Sequence, residues 1–132
     1  MDKEIICVDT SVFIDYFRKQ RKDKTLLIKL SREYDFAISV ITKLEISVGI
    51  GKGQKNYWDN VFYKLTILPL TETEIDKATS IIQTLRKDNK IIGLQDILIA
   101  STAIANDLKF ATLNLKDFER IKDLKISKST NQ

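Results

Sequence analysis

The chain has 132 residues, 43% hydrophobic and 30% charged, which suits one domain with a substantial core. It contains no histidine and a single cysteine, Cys7, which excludes Ser-His-Asp and Cys-His triads, histidine general bases, His/Cys zinc sites and a disulfide framework. The net charge of +4, from 22 Lys and Arg against 18 Asp and Glu, favours anionic partners, nucleic acid first, and leaves any hydrolytic work to carboxylates around a hard cation.

Glu4–Val8 (EIICV) reads as a buried strand because it is uninterrupted and β-branched. Thr10 or Ser11 then caps a helix to about residue 19, and residues 25–33 form a second helix with Leu26, Leu27 and Leu30 on one side. Residues 36–39 make a short strand, and Thr42 caps a helix through Val48 that ends near Gly49 and Gly51. Trp58, Val61, Phe62 and Leu65 fall at i, i+3, i+4, i+7 and mark an amphipathic helix. That spacing makes the aromatics Tyr57, Trp58, Phe62 and Tyr63 packing residues before it makes them a base-stacking platform. Thr66–Leu68 is a brief strand before the single proline, Pro69. Thr71 and Glu74 form a capping box for a helix to about residue 88. Residues 94–108 form the most apolar helix, residues 110–113 a strand, 117–121 a helical turn and 124–126 a last strand.

Strands alternating with helices imply a parallel sheet covered on both faces, with ligands bound beyond the carboxyl ends of the strands. No linker or repeat divides the chain, so residues 1–132 are expected to be one domain, the last few forming a flexible tail. Asp2, Lys3 and Glu4 stand where a signal peptide would be apolar, and no run is long enough to span a bilayer, so a cytoplasmic protein without membrane contact is expected.

Three carboxylates stand among core residues: Asp9 at the end of IICVD, Glu45 inside ITKLEISVGI and Asp96 inside IIGLQDILIAS. Burying a lone carboxylate is costly, so such a group neutralises or finds a partner. Taken singly, Asp9 could cap the first helix, Asp96 could answer a helix dipole and Glu45 could face solvent. Together they point to convergence, and converging carboxylates repel unless a divalent cation joins them. In TLNLKDF, Thr112, Asn114 and Asp117 follow a strand and can face the same edge, although Asp117 also suits an ordinary first helical turn.

VDTSVFIDYF at 8–17, ITKLEISVG at 41–49, QDILIASTA at 95–103 and TLNLKDF at 112–118 resemble the four signatures of the PIN-domain nucleases, more narrowly the VapC-type toxins of bacterial toxin–antitoxin pairs. The resemblance runs from about residue 5 to 126. It implies an α/β/α sandwich on a central parallel sheet of four to five strands, a Mg²⁺ or Mn²⁺ cofactor and cleavage of RNA to a 5′-phosphate and a 3′-hydroxyl. It implies Asp9, Glu45 and Asp96 as metal-site and catalytic acids, with the fourth position open between Asn114 and Asp117. Thr10 or Ser11, and Thr112, match positions that support the site by hydrogen bonds. It further implies a cognate antitoxin and a homodimer. Asp15, six residues from Asp9, is read as structural or peripheral.

The chemistry stands without the family. Mg²⁺ takes two or three carboxylates and keeps several waters. A remaining carboxylate, Glu45, can hold or deprotonate an attacking water. Arg18, Lys19, Arg21, Lys22 and Lys24 place five cations in seven positions directly after the first helix, either a solvated loop or an RNA-binding surface. The rival from the same fold is a non-catalytic RNA-binding or scaffold domain. A phosphoacceptor receiver domain ranks lower, because IICVDTS carries a single Asp rather than an acidic pair.

Overall fold

A computed structural model describes residues 2–127. The segment 128–132, expected as a tail, lies outside the described residues. Four strands, β1 (Glu4–Val8), β2 (Tyr34–Ser39), β3 (Thr66–Leu68) and β4 (Lys109–Ala111), form one parallel sheet in the order β3-β2-β1-β4. The register pairs Cys7 with Ala37 and with Phe110. Chain order runs outward from β1 to β3 on one side and returns as β4 on the other, so the direction of winding reverses beside β1. That reversal opens a crevice at the carboxyl ends of β1 and β4.

The strand period of two decides which helices cover which face. Ile6 and Val8 point to one side, where α1 (Thr10–Arg18), α2 (Leu26–Ser31) and α4 (Lys55–Tyr63) supply Val12, Phe13, Leu27, Leu30, Trp58 and Phe62. Cys7 and Phe110 point to the other, against Ala78 and Leu85 of α5 (Glu72–Lys87) and Ile99 and Ala103 of α6 (Leu94–Ala105). Helix α3 (Val40–Gly49) bridges the two, with Ile46 in the first core and Ile41 against the second. The result is the expected α/β/α sandwich.

Several local expectations shift. Helix α3 starts at Val40, not Thr42, because Ser39 takes the cap: its Oγ accepts the Ile41 N–H at 3.1 Å. Helix α6 stops at Ala105, because Asp107 adopts a positive φ of 53° and turns the chain. The strand expected at 124–126 is reduced to one bridge, Phe110 to Ile126, with the Phe110 N–H donating to Lys125 O at 2.8 Å. The last helical turn, α7 (Leu115–Phe118), begins earlier than expected. The aromatics divide: Trp58 and Phe62 are buried and stack with Phe17, whereas Tyr63 is 91% exposed. No helix among the described residues is long and apolar enough to cross a membrane.

The Thr71–Glu74 capping box is formed, with the Thr71 N–H donating to Glu74 Oε1 at 2.7 Å. Thr71→Ala should therefore destabilise the protein by about 1 kcal/mol, read as a drop of a few degrees in Tm by circular dichroism. An unchanged Tm would mean that α5 does not depend on its cap.

Candidate active site

Asp9 is the first residue past β1 and sits in the crevice where the winding reverses. Its N–H donates to Ala111 O at 2.9 Å, which extends the β1–β4 ladder by one bond and fixes the backbone. It occupies the N-cap position of α1, yet its side chain makes no cap bond. The carboxylate turns into the crevice instead, only 4% of the residue exposed. There Oδ2 accepts from Ser11 Oγ at 2.7 Å and from Thr112 Oγ1 at 2.8 Å. Each hydroxyl is itself oriented by the backbone: Ser11 Oγ accepts the Leu113 N–H at 3.1 Å, and Thr112 Oγ1 accepts the Asn114 N–H at 2.9 Å. The segment after β4 is thereby tied to the start of α1 through one carboxylate.

Thr10, adjacent to Ser11, serves a second acid. Its Oγ1 donates to Glu45 Oε1 at 2.6 Å and lies 3.2 Å from the fully buried Thr42 Oγ1. Glu45 is half-buried on α3, and its other oxygen has no partner among the described residues. Asp96 is half-buried in the first turn of α6. Its carboxyl is pushed up to about 6, first by desolvation and then by the negative charges of Asp9, Glu45 and Asp117. Asp117 stands in α7, where its Oδ2 accepts from Asn114 Nδ2 at 3.1 Å and its Oδ1 lies 3.9 Å from Arg120 Nη1. Asn114 and Asp117 are thus not alternatives in space: the amide holds the carboxylate that faces Asp96.

Asp9, Glu45 and Asp117 therefore all act electrostatically on Asp96, and every donor in the set is an oxygen. Among the described residues, no three acids already stand close enough to hold one ion together. That geometry suits a cation that keeps water ligands, as Mg²⁺ does, and not a closed protein cage. Cys7 lies beneath the site, its thiol raised to about 12 by burial and by Asp9, so it is inert.

The basic run is not brought to the acids. Helix α1 carries it about 13 Å away along its axis, and its members are engaged locally. Lys22 Nζ donates to the carbonyls of Tyr16, Phe17 and Lys19, closing the end of α1. Arg21 pairs with Asp23 at 3.3 Å and Lys19 with Asp15 at 3.7 Å, which gives Asp15 a local structural role. Arg18 and Lys24 are exposed. Two contributors are hidden in the sequence. Thr42 has the look of a helix cap because Thr-x-x-Glu before an apolar run imitates a capping box. Arg120 donates to Ile91 O at 2.9 Å and steadies the loop leading to α6; a lone Arg in a polar stretch carries no signal of such a bond.

The family model described as "PIN domain" matches residues 6–124. Ribonuclease VapC1 of Methanocaldococcus jannaschii is 39% identical over 119 residues, covering 89% of this chain and 82% of that protein. Ribonuclease VapC10 of Mycobacterium tuberculosis is 30% identical over 121 residues, covering 92% of this chain and 91% of that protein. Among solved structures, VapBC2 of Rickettsia felis bound to a promoter DNA fragment superimposes with a TM-score of 0.79 at 26% identity, covering 93% of this chain and 97% of that one. VapBC-1 of nontypeable Haemophilus influenzae gives 0.81 at 23% identity, covering 96% and 98%, a likeness of fold.

Because the Asp96 carboxyl is raised, the folded protein binds more protons than the unfolded chain between the ordinary Asp range and about 6. Stability without metal therefore falls as pH rises through that window, and the penalty is complete above it. Asp96→Asn removes the penalty. At pH 7.5 in EDTA the variant should melt a few degrees above the parent, about 1 kcal/mol once partial exposure is discounted. The gap should close as pH falls below 4, and Mn²⁺ should raise the parent's Tm but not the variant's. A variant melting at or below the parent at pH 7.5 would contradict the electrostatic account.

Proposed function

The chain belongs to the PIN-domain family, and we propose that it is a divalent-cation-dependent endoribonuclease, the toxin of a toxin–antitoxin pair. The observation that carries this reading is the crevice at the carboxyl ends of β1 and β4, where Ser11 and Thr112 hold Asp9, Thr10 holds Glu45, and burial together with the charges of Asp9, Glu45 and Asp117 raises Asp96. A fold does not keep such repulsion without a use, and a cation binding an RNA phosphate uses it.

Asp9 and Asp96 are the principal metal-holding residues, with Glu45 at the edge of the same site. All donors being oxygen, Mg²⁺ is the expected ion and Mn²⁺ its substitute. When bound, the cation supplies positive charge to the scissile phosphate and acidifies an attacking water. Glu45 then acts as general base: Thr10 holds Oε1, and Oε2 is left to take the water's proton. Asp117, fixed by Asn114, supplies the fourth carboxylate. Ser11 and Thr112 are positioning residues that keep Asp9 from rotating. Attack in line with the departing oxygen leaves a 5′-phosphate and a 3′-hydroxyl, and no step needs a histidine.

The relatives that crystallised as VapBC complexes support an antitoxin partner. Its seat on this chain is the groove between α1, α2 and α4, a cavity of about 430 Å³ lined by Tyr16, Ile28, Phe36, Tyr57, Val61 and Leu65. An aromatic groove of that kind suits the apolar face of an amphipathic helix. The homodimer expected of this chain has exposed apolar positions available at Leu44 and Val48, one turn apart on α3.

Asp9→Asn should lower cleavage of total RNA in Mg²⁺ or Mn²⁺ at least about a hundredfold, with far-UV circular dichroism unchanged, and EDTA should silence the parent. Thr10→Val should cost about tenfold or more in kcat with a smaller change in KM, as removal of a positioning hydroxyl does. An Asp9→Asn protein that cuts at the parent rate would refute the site.

A further inference from the structure

Four clustered carboxylates repel the polyanion they are meant to cut, so a strand of RNA needs cations beside them. The basic run after α1 lies at the far end of that helix, and its Lys22 is occupied by three carbonyls. A different basic notch opens on the other side, between α5 and the turn after α7. It has a volume of about 120 Å³, and Lys77, Ser80, Thr84, Arg120, Lys122 and Asp123 line it.

Ile81, Leu85 and Ile121 form its floor, Ser80 Oγ donates to Asp76 O at 3.4 Å, and the rim carries three cations and the Thr84 hydroxyl against one carboxylate, an inventory that binds phosphate oxygens. The two lysines are available, while Arg120 Nη1 is already engaged with Ile91 O at 2.9 Å and presents its remaining N–H groups. Lys77 has no carboxylate within ion-pair distance among the described residues. Lys122 meets Asp88 only at 3.9 Å, a largely exposed pair of little worth, and Arg120 meets Asp117 at 3.9 Å in a half-buried position. Arg120 also joins the notch to the acids, because the Asp117 it faces is one of the three charges acting on Asp96.

We propose that this notch seats a backbone phosphate of the RNA strand as it passes from the cleavage site along α5, held by Lys77 and Lys122 with the free N–H groups of Arg120 and the hydroxyl of Thr84. The inference rests on the ribonuclease reading. It adds a phosphate subsite outside the acid cluster, sequence-independent in character because it reads the backbone and no base edge.

The test uses the full chain and labelled poly(U), bound in EDTA and followed by anisotropy across a KCl series. Lys77→Gln/Lys122→Gln should weaken binding about tenfold and flatten the slope of log K against log salt by about 0.7, the value for one phosphate no longer neutralised. Lys77→Gln alone should take about half of that slope. Cleavage of total RNA by the double variant should show a raised KM and the parent's kcat. If the parent cleaves RNA while the double variant keeps the parent's affinity and slope, the subsite is wrong and the ribonuclease reading stands. If the parent cuts no RNA yet the slope still falls, the subsite stands and the nuclease reading fails. Saturable binding of inorganic phosphate or polyglutamate through these lysines, with poly(U) binding unaffected by their removal, would overturn the proposal in favour of a free anion or an acidic peptide.

Discussion

The burial of Asp9 is the constraint from which the crevice is built. A carboxylate withdrawn from water would be protonated or expelled unless its charge were met. Here two hydroxyls meet it, one from the first turn of α1 and one from the end of β4, and each is pinned in turn by a backbone N–H. The same bonds that hold the Asp9 carboxylate in place therefore join the two strands that flank the reversal in winding. Ser11 points to Asp9 and its neighbour Thr10 to Glu45, so two consecutive residues orient two acids from different elements. What the hydroxyls do not do is neutralise. Asp96 shows the consequence: burial first, and then the charges of Asp9, Glu45 and Asp117, push its carboxyl up to about 6.

This explains how a protein without histidine can be arranged for phosphodiester chemistry. Asp9, Glu45 and Asp117 are each held by hydroxyl or amide donors and all bear on Asp96, which is electrostatic preorganisation for a positive ion. A non-catalytic domain of the same fold has no need to retain four such groups. Charge elsewhere is distributed over the surface: Lys22 closes the end of α1, and Lys77, Arg120 and Lys122 line a notch between α5 and the turn after α7. The apolar groove between α1, α2 and α4 shares no lining residue with that notch.

Much of this is legible in the residues. IICVD announces a strand ending in an acid, and Glu45 and Asp96 stand out because apolar neighbours surround them. The alternation of strands and helices carries the sandwich and its parallel sheet. What is not legible depends on packing. Ser39 and Thr42 are both good caps, and only the exit of β2 decides that Ser39 takes the role, which frees Thr42 to face Thr10. Asn114 and Asp117 look like rivals for one position in sequence, whereas α7 stacks them as holder and held. The basic run is near the acids along the chain, but a nine-residue helix separates the two in space.

The central claim is that these carboxylates form one divalent-cation site, and calorimetric titration of the purified protein with Mn²⁺ at pH 6, in buffers of different ionisation enthalpy, tests it most directly. Saturable binding with release of about half a proton per ion, as Asp96 gives up its share, is the predicted result. Absence of saturable binding, or binding that Asp9→Asn and Asp96→Asn leave intact, would contradict it.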